Sequence, residues 1–187
     1  MLMINTELDY MEMYNSLGIK MINGELQHNS IEPLELFLTK RETKIDIELG
    51  NKAIQDLIKQ VDFYKNRCYT FGILTMDNIY VIDEEIFIIK NTELMPIIDK
   101  YYISINSIYS KDNILLPPEL KSNTEIPFKT RATMCYFSIG KIVEKIIFKS
   151  KELSKEQIKS TLGDSSLYFC LYRATKENPT HRYLLYI

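Results

Sequence analysis

The chain has 187 residues, 45% of them hydrophobic, and 23 basic against 25 acidic side chains give it a formal charge of −2. That length suits one packed domain, and the charge excludes an overall positive field that would hold a nucleic-acid backbone or an anionic membrane. Three scattered cysteines, no run of the roughly 18 apolar residues that span a bilayer and no signal-peptide pattern at the N-terminus make a soluble, cytoplasmic protein the expectation.

In chain order, the first signal is Asn23-Gly24, flanked by Gly18 to Ile22 and Glu25 to His28, which predicts two short strands joined by a type I′ turn. From Asn51 to Asn66, Ile54, Leu57, Ile58, Val61 and Tyr64 recur at helical spacing and predict an amphipathic helix. Ile79 to Ile82 and Ile86 to Ile89 are β-branched runs around Asp83-Glu84-Glu85, a second hairpin. Pro117-Pro118 interrupts a loop. Ala132 to Phe148 is apolar enough for a helix buried on most of its circumference, placed at the centre of the core. Ser165 to Thr175 predicts a further helix, ended by Asn178-Pro179 before a short terminal helix from about Thr180. The C-terminal half is therefore expected to be helical, and no repeat or low-complexity segment breaks the chain.

Common active-site signatures are missing: there is no GxSxG, HExxH, GxxxxGK[ST] or GxGxxG. His28 and His181 read as surface or capping residues without a partnered base. Asp83-Glu84-Glu85 reads as a solvated turn. Tyr101-Tyr102 and the Tyr183 to Tyr186 patch lack interleaved arginine, so packing is expected of them rather than base stacking. Cys68, Cys135 and Cys170 offer no metal-ligand spacing, and no metal or cofactor is expected.

The order of these features carries more than any one of them. An amphipathic helix is followed by an Asn before a hairpin, a long loop ending in Pro117-Pro118-Glu119, an apolar helix containing Ser138-Ile139-Gly140, and a late Pro179-Thr180-His181-Arg182. This succession resembles the C-terminal lobe of a eukaryotic-type protein kinase from about Asn51 to Ile187. The family's catalytic loop, H-R-D-x-x-x-x-N, falls on Phe71 to Asn78. Phe71 stands for its His, Gly72 for its Arg and Ile73 for the catalytic Asp; only Asn78 is kept. Asn91 stands where the metal-binding Asp of D-F-G is found, which keeps an oxygen and loses the charge. Neither a Gly-rich loop nor a nucleotide-gripping Lys occurs in the first fifty residues, which are too few for a complete N-lobe. Pro117-Pro118-Glu119 resembles A-P-E, and the resemblance implies an ion pair between Glu119 and Arg182. Cys135 to Gly140 resembles D-x-W-S-x-G, with Cys135 replacing the Asp that braces the catalytic loop, a task expected to have lapsed here.

The expectation is thus an α+β, mainly helical, kinase-like C-lobe with two short β-hairpins and no complete N-lobe. Residues 1–187 form a single domain, with a reduced N-terminal segment over 1–50 and the C-lobe-like region over 51–187. The resemblance implies a catalytically inactive pseudokinase that acts as an interaction or structural module and binds no ATP, nucleic acid or membrane. An apolar surface near the early hairpin, Phe71, Ile73 and Met76, left without its N-lobe, is expected to meet a protein partner or a second copy. The alternatives are a divergent phosphotransferase using Asp77, Asp83 or Glu93 with Asn78 and Asn91 near a metal, or an interaction protein unrelated to kinases. The composition, with 27 Ile and 18 Lys against 3 Ala and 5 Arg, points to an AT-rich genome and adds a large DNA virus to the expected sources, with a virion role among the structural ones.

Overall fold

Two long helices carry the core, and the short strands are fastened to them. The computed structural model describes residues 6–23, 25–41, 45–90, 92, 94–109, 113–123, 125–149 and 153–187. The elements run α1 (Thr6–Ser16), β1 (Met21–Ile22), β2 (Glu25–Leu26), β3 (Ile31–Pro33), α2 (Leu34–Thr39) and α3 (Ile47–Lys65). They continue as β4 (Tyr69–Phe71), β5 (Ile79–Ile82), β6 (Ile86–Ile89), β7 (Leu94–Pro96), β8 (Tyr102–Ile105), α4 (Pro118–Ser122) and β9 (Phe128–Arg131). Helices α5 (Met134–Phe148), α6 (Lys155–Leu162) and α7 (Ser166–Ala174) close the fold. No helix is long and apolar enough to cross a membrane among the described residues.

The expected amphipathic helix is present as α3, but it starts at Ile47 rather than Asn51. Asp46 sets that start: its side chain accepts a hydrogen bond from the Leu49 N–H at 3.0 Å, satisfying a donor that the helix itself leaves free. The line drawn at residue 50 therefore cuts this helix. Its apolar face buries Ala53, Ile54, Leu57 and Val61 against α5 and β6. Full burial of one such Leu or Ile is worth about 1.5–3 kcal/mol. Helix α5, apolar on nearly all sides as predicted, lies between α3 and α7 and buries 12 of its 15 residues. Gly140 explains how close α7 comes: a Cβ there would stand 2.7 Å from Thr175 Cγ2 and 3.2 Å from Ala174 Cβ. Gly50 plays the same part on α3, where a Cβ would collide with Ile147 of α5.

The strands form four small sheets, two more than the expected hairpins. β1 pairs with β2 across a turn in which Asn23 has φ 53°, while Gly24 lies outside the described residues. β5 and β6 form the predicted hairpin with Ile79 opposite Ile89 and Ile82 opposite Ile86, and β3 adds to β5 on its other side. β4 pairs with β7, and β8 with β9. The last pair corrects the expectation of a purely helical C-terminal half. Pro117-Pro118 does not interrupt a loop either: Pro118 is the first residue of α4, a position where a missing N–H costs nothing. The terminal helix is a single 3-10 turn over Pro179–His181, capped by the Asn178 side chain.

The outer edge of β6 is closed without a strand. Its outward Phe87 N–H donates to Asp56 Oδ2 at 3.2 Å, and its Ile89 N–H donates to Gln60 Oε1 at 2.8 Å. Gln60 Nε2 in turn donates to the Phe87 carbonyl at 2.9 Å. Asp56 and Gln60 are one helical turn apart on α3 and almost fully buried, so two side chains of a helix stand in for a fourth strand.

On the opposite face of the β5–β6 hairpin, Met13 and Tyr14 of α1 and the following Leu17 and Ile19 pack against Ile82 and Ile88. The N-terminal segment thus covers the hairpin. Phe71 and Met76 are also buried, and Ile73 packs into an apolar cluster. Ile73 stays half-buried, and Phe71 and the early hairpin residues Met21 and Leu26 line an open cleft beside Tyr10 and Tyr14.

Candidate functional site

The residues singled out by the kinase resemblance fall into two groups. The first surrounds the β4–β7 pair, whose register sets Phe71 opposite Leu94 and so brings the segment after the hairpin beside the Phe71 position. Phe71 is a core residue, with the Tyr64 ring edge-on at 5.1 Å. Gly72 is buried beside it. Ile73, which the resemblance sets opposite the family's catalytic acid, packs against the cluster of Met95, Ile103, Leu116 and Met134. A carboxylate there would lose its hydration to apolar walls.

Asn78 has a local task. Its Oδ1 accepts hydrogen bonds from the Thr75 N–H at 2.8 Å and the Thr75 hydroxyl at 3.0 Å, closing a capping box around the 3-10 turn Met76–Asn78. The oxygen that would face a metal already holds two donors. Asn91 and Glu93 lie outside the described residues. Asp77 is exposed, and Asp83 accepts the Asn29 and Ser30 N–H groups at 2.8 and 2.7 Å, tying the β2–β3 loop to the β5–β6 turn. Asn78 and Asp83 sit at opposite ends of β5, roughly 16 Å apart along a strand at about 3.3 Å per residue. No group of three His, Cys, Asp or Glu side chains that could hold a metal occurs among the described residues.

Cys135, on the first turn of α5, is fully buried with its Sγ 3.3 Å from Thr70 Oγ1 of β4. The Thr70 hydroxyl also lies 3.1 Å from the Ala132 carbonyl, which accepts from it. Burial pushes the Cys135 thiol up to about 11, although the Thr70 hydroxyl and the Phe71 N–H pull the other way. Cys135 therefore joins the start of α5 to the Thr70–Phe71 segment of β4. The contact is uncharged.

The second group joins distant parts of the chain. Arg182 donates from Nη1 to Glu119 Oε1 at 2.6 Å and from Nη2 to Glu119 Oε2 at 2.7 Å, a bidentate pair across 63 residues. Its Nε donates to the Lys176 carbonyl at 2.6 Å and its Nη2 to the Glu177 carbonyl at 2.8 Å. The Phe137 ring lies 5.2 Å from the guanidinium carbon. The Arg182 side chain is 0% exposed and that of Glu119 15%. Ser138 donates to the Leu115 carbonyl at 2.8 Å, and Thr133 to the Pro179 carbonyl at 2.7 Å. These bonds converge on α5 and fix the start of α4 and the terminal 3-10 turn to it.

Two clefts open beside these groups. One, about 740 Å³, lies between the N-terminal segment and the body, with Tyr10, Tyr14, Tyr64 and Phe71 on its walls and Glu25, His28 and Lys90 as its charged or titratable lining. The exposed His28 thus lies in a cleft, while the exposed His181 caps nothing and sits in the terminal 3-10 turn. The other, about 490 Å³, lies between the end of α3, the β7–β8 turn, the β9–α5 junction and residues 179–185. Sequence reasoning missed its charge pattern, because the arginine absent beside Tyr101-Tyr102 in sequence arrives from β9. Arg131, opposite Tyr102 in the β8–β9 register, places its guanidinium 5.2 and 4.9 Å from the two rings. Asp56 and Gln60 were missed as well; two polar residues four apart on an otherwise apolar helix face were the available signal. No protein-family model matches the chain, and no curated protein is similar to it.

Proposed function

We propose that the chain is a catalytically inactive, protein-kinase-like C-lobe that works as an interaction or structural module. The observation that carries this reading is the buried, bidentate Glu119–Arg182 pair, which joins the Pro-Pro-Glu segment to the late arginine as the resemblance implies. The β5–β6 hairpin beneath Asn78, the β4–β7 pairing and the Cys135–Thr70 contact support the same ground plan. Inactivity is supported by Ile73 in an apolar cluster at the acid position and by the Asn78 oxygen held in a capping box. The joints of the scaffold are kept where the reacting groups are replaced.

Thermal denaturation with ATP and magnesium tests this. A ligand that binds only the folded state raises the melting temperature, by about 2.7 kcal/mol of added stability at a hundredfold excess over Kd. The expected result is no shift with millimolar nucleotide and magnesium. A clear rise that disappears in Asn78→Ala overturns inactivity. For the interaction half, a purified protein that stays monomeric at all concentrations and retains no partner counts against the reading.

A further inference from the structure

We propose that the cleft between α3, the β7–β8 turn and the C-terminal segment binds a phosphorylated side chain of a partner protein. Three cations from three separate elements line it: Lys65 at the end of α3, Lys100 in the β7–β8 turn and Arg131 at the end of β9. Asp62 is the acid among its lining residues, and the fourth cation there, Arg182, is already paired with Glu119. Among the described residues no carboxylate forms an ion pair with Lys65, Lys100 or Arg131, whereas Arg41, Arg67 and Arg182 each have one. This local excess of positive charge stands in a chain of net charge −2, so it is not a by-product of general basicity.

The cations are placed without using up their donors. Arg131 stacks on Tyr101 and Tyr102, and Lys65 lies 6.0 Å from the Tyr136 ring centre. A ring face attracts the charge and leaves the edge N–H groups of the guanidinium free, in the fork geometry that fits a phosphate or carboxylate. Lys100 sits in a two-residue turn closed by the Tyr101 N–H donating to the Ile98 carbonyl at 3.2 Å. Asp99 and Lys100 both have positive φ, 51° and 67°, where Asn-Gly is the favoured pair. The turn therefore holds a lysine at a position that ordinarily selects glycine.

Three positive charges against one negative suit a dianion, and a phosphomonoester carries about −1.5 to −2 at neutral pH. The cleft is too small, and its cations too confined, to follow a nucleic-acid backbone, which needs successive phosphate contacts. Tyr101, Tyr183 and Leu185, 57%, 61% and 50% exposed, give the rim an apolar surface for the residues that carry the phosphate. Phosphotyrosine fits such walls best, since its ring can lie against Tyr101 or Tyr183 while its phosphate meets Arg131. This inference does not depend on the kinase resemblance.

Fluorescence anisotropy with a labelled phosphotyrosine peptide tests the proposal on the full chain. The same peptide without phosphate, inorganic phosphate, a single-stranded oligonucleotide and vesicles containing phosphatidylserine serve as competitors. We expect the phosphopeptide to bind at least about tenfold more tightly than its unphosphorylated form and to be displaced weakly by inorganic phosphate. Arg131→Lys, which keeps the charge and loses the fork, and Lys100→Gln, on an exposed turn, should each weaken binding about threefold or more while melting temperature stays unchanged. Equal binding with and without phosphate, binding untouched by both substitutions, or tighter binding of the oligonucleotide or the vesicles overturns the proposal.

Discussion

Glu119→Ala is expected to destabilise the protein by about 3–5 kcal/mol, because it strands a guanidinium whose side chain is 0% exposed. Arg182 would keep the Lys176 and Glu177 carbonyls as acceptors, but neither neutralises its charge. Glu119→Gln should lose roughly half as much, since one amide oxygen still accepts from the guanidinium. Arg182→Met combined with Glu119→Ala should cost less than the two single changes added together, as the pair acts as one unit. In a domain of this size the Glu119→Ala loss lowers the melting temperature by about 6–20 °C, read by thermal denaturation. A change below about 1 kcal/mol would mean that Arg182 finds water or another acceptor, and the pair would then fix nothing. The consequence extends beyond stability, because Arg182 also lines the cationic cleft. With Glu119 gone, Arg182 adds an unpaired cation to that cleft, so phosphopeptide binding by folded Glu119→Ala should tighten.

The elements legible in the sequence are those whose information is local. The α3 periodicity, the β5–β6 alternation around a charged turn, and α7 between Ser165 and Thr175 are each written within one short segment. What escaped depends on distant partners. β4 and β7 are three residues each, with Thr70 opposite Met95, and β8 meets β9 with Tyr102 opposite Arg131. Strands that short carry almost no pattern, and their pairing is decided by which surfaces the helices leave open. Helix α6 is different: Ser154 and Gln157 form a capping box whose spacing is readable, yet the polar segment that follows gives little periodic support. At the candidate site, Ile73 and Phe71 were legible as departures from the kinase pattern, but not their burial. The phosphate-binding chemistry proposed for the second cleft was illegible for one physical reason. Arg131 reaches Tyr101 and Tyr102 only through the β8–β9 register, so a search for arginine beside Tyr101-Tyr102 in sequence finds nothing.

Gln60→Leu should cost about 2–5 kcal/mol although it keeps an apolar side chain of similar size on a buried helix face. Gln60 is 0% exposed, and its loss leaves the Phe87 carbonyl and the Ile89 N–H on the outer edge of β6 without partners. Each buried orphan costs about 1–3 kcal/mol, so an apolar replacement makes matters worse than its hydrophobicity suggests. Asp56 supplies the neighbouring acceptor and adds a pH dependence. Its carboxyl is held above the usual range mainly by burial, with the Phe87 N–H and then Lys52 and Lys59 pulling it down. A raised folded-state value means that the protonated carboxyl is favoured in the fold. Its contribution is fully present in acid, below the unfolded value near 4, and is lost as pH rises through the folded value. Asp56→Asn offers the Phe87 N–H an oxygen with no charge to bury. Its stability relative to the parent should therefore improve between about pH 4 and pH 7, as measured by urea denaturation at both. If the difference runs the other way, Lys52 at 3.3 Å outweighs burial, and the closed edge of β6 is held by an ion pair rather than by neutral hydrogen bonds. Together the two substitutions separate what α3 gives to β6 as geometry from what it gives as charge.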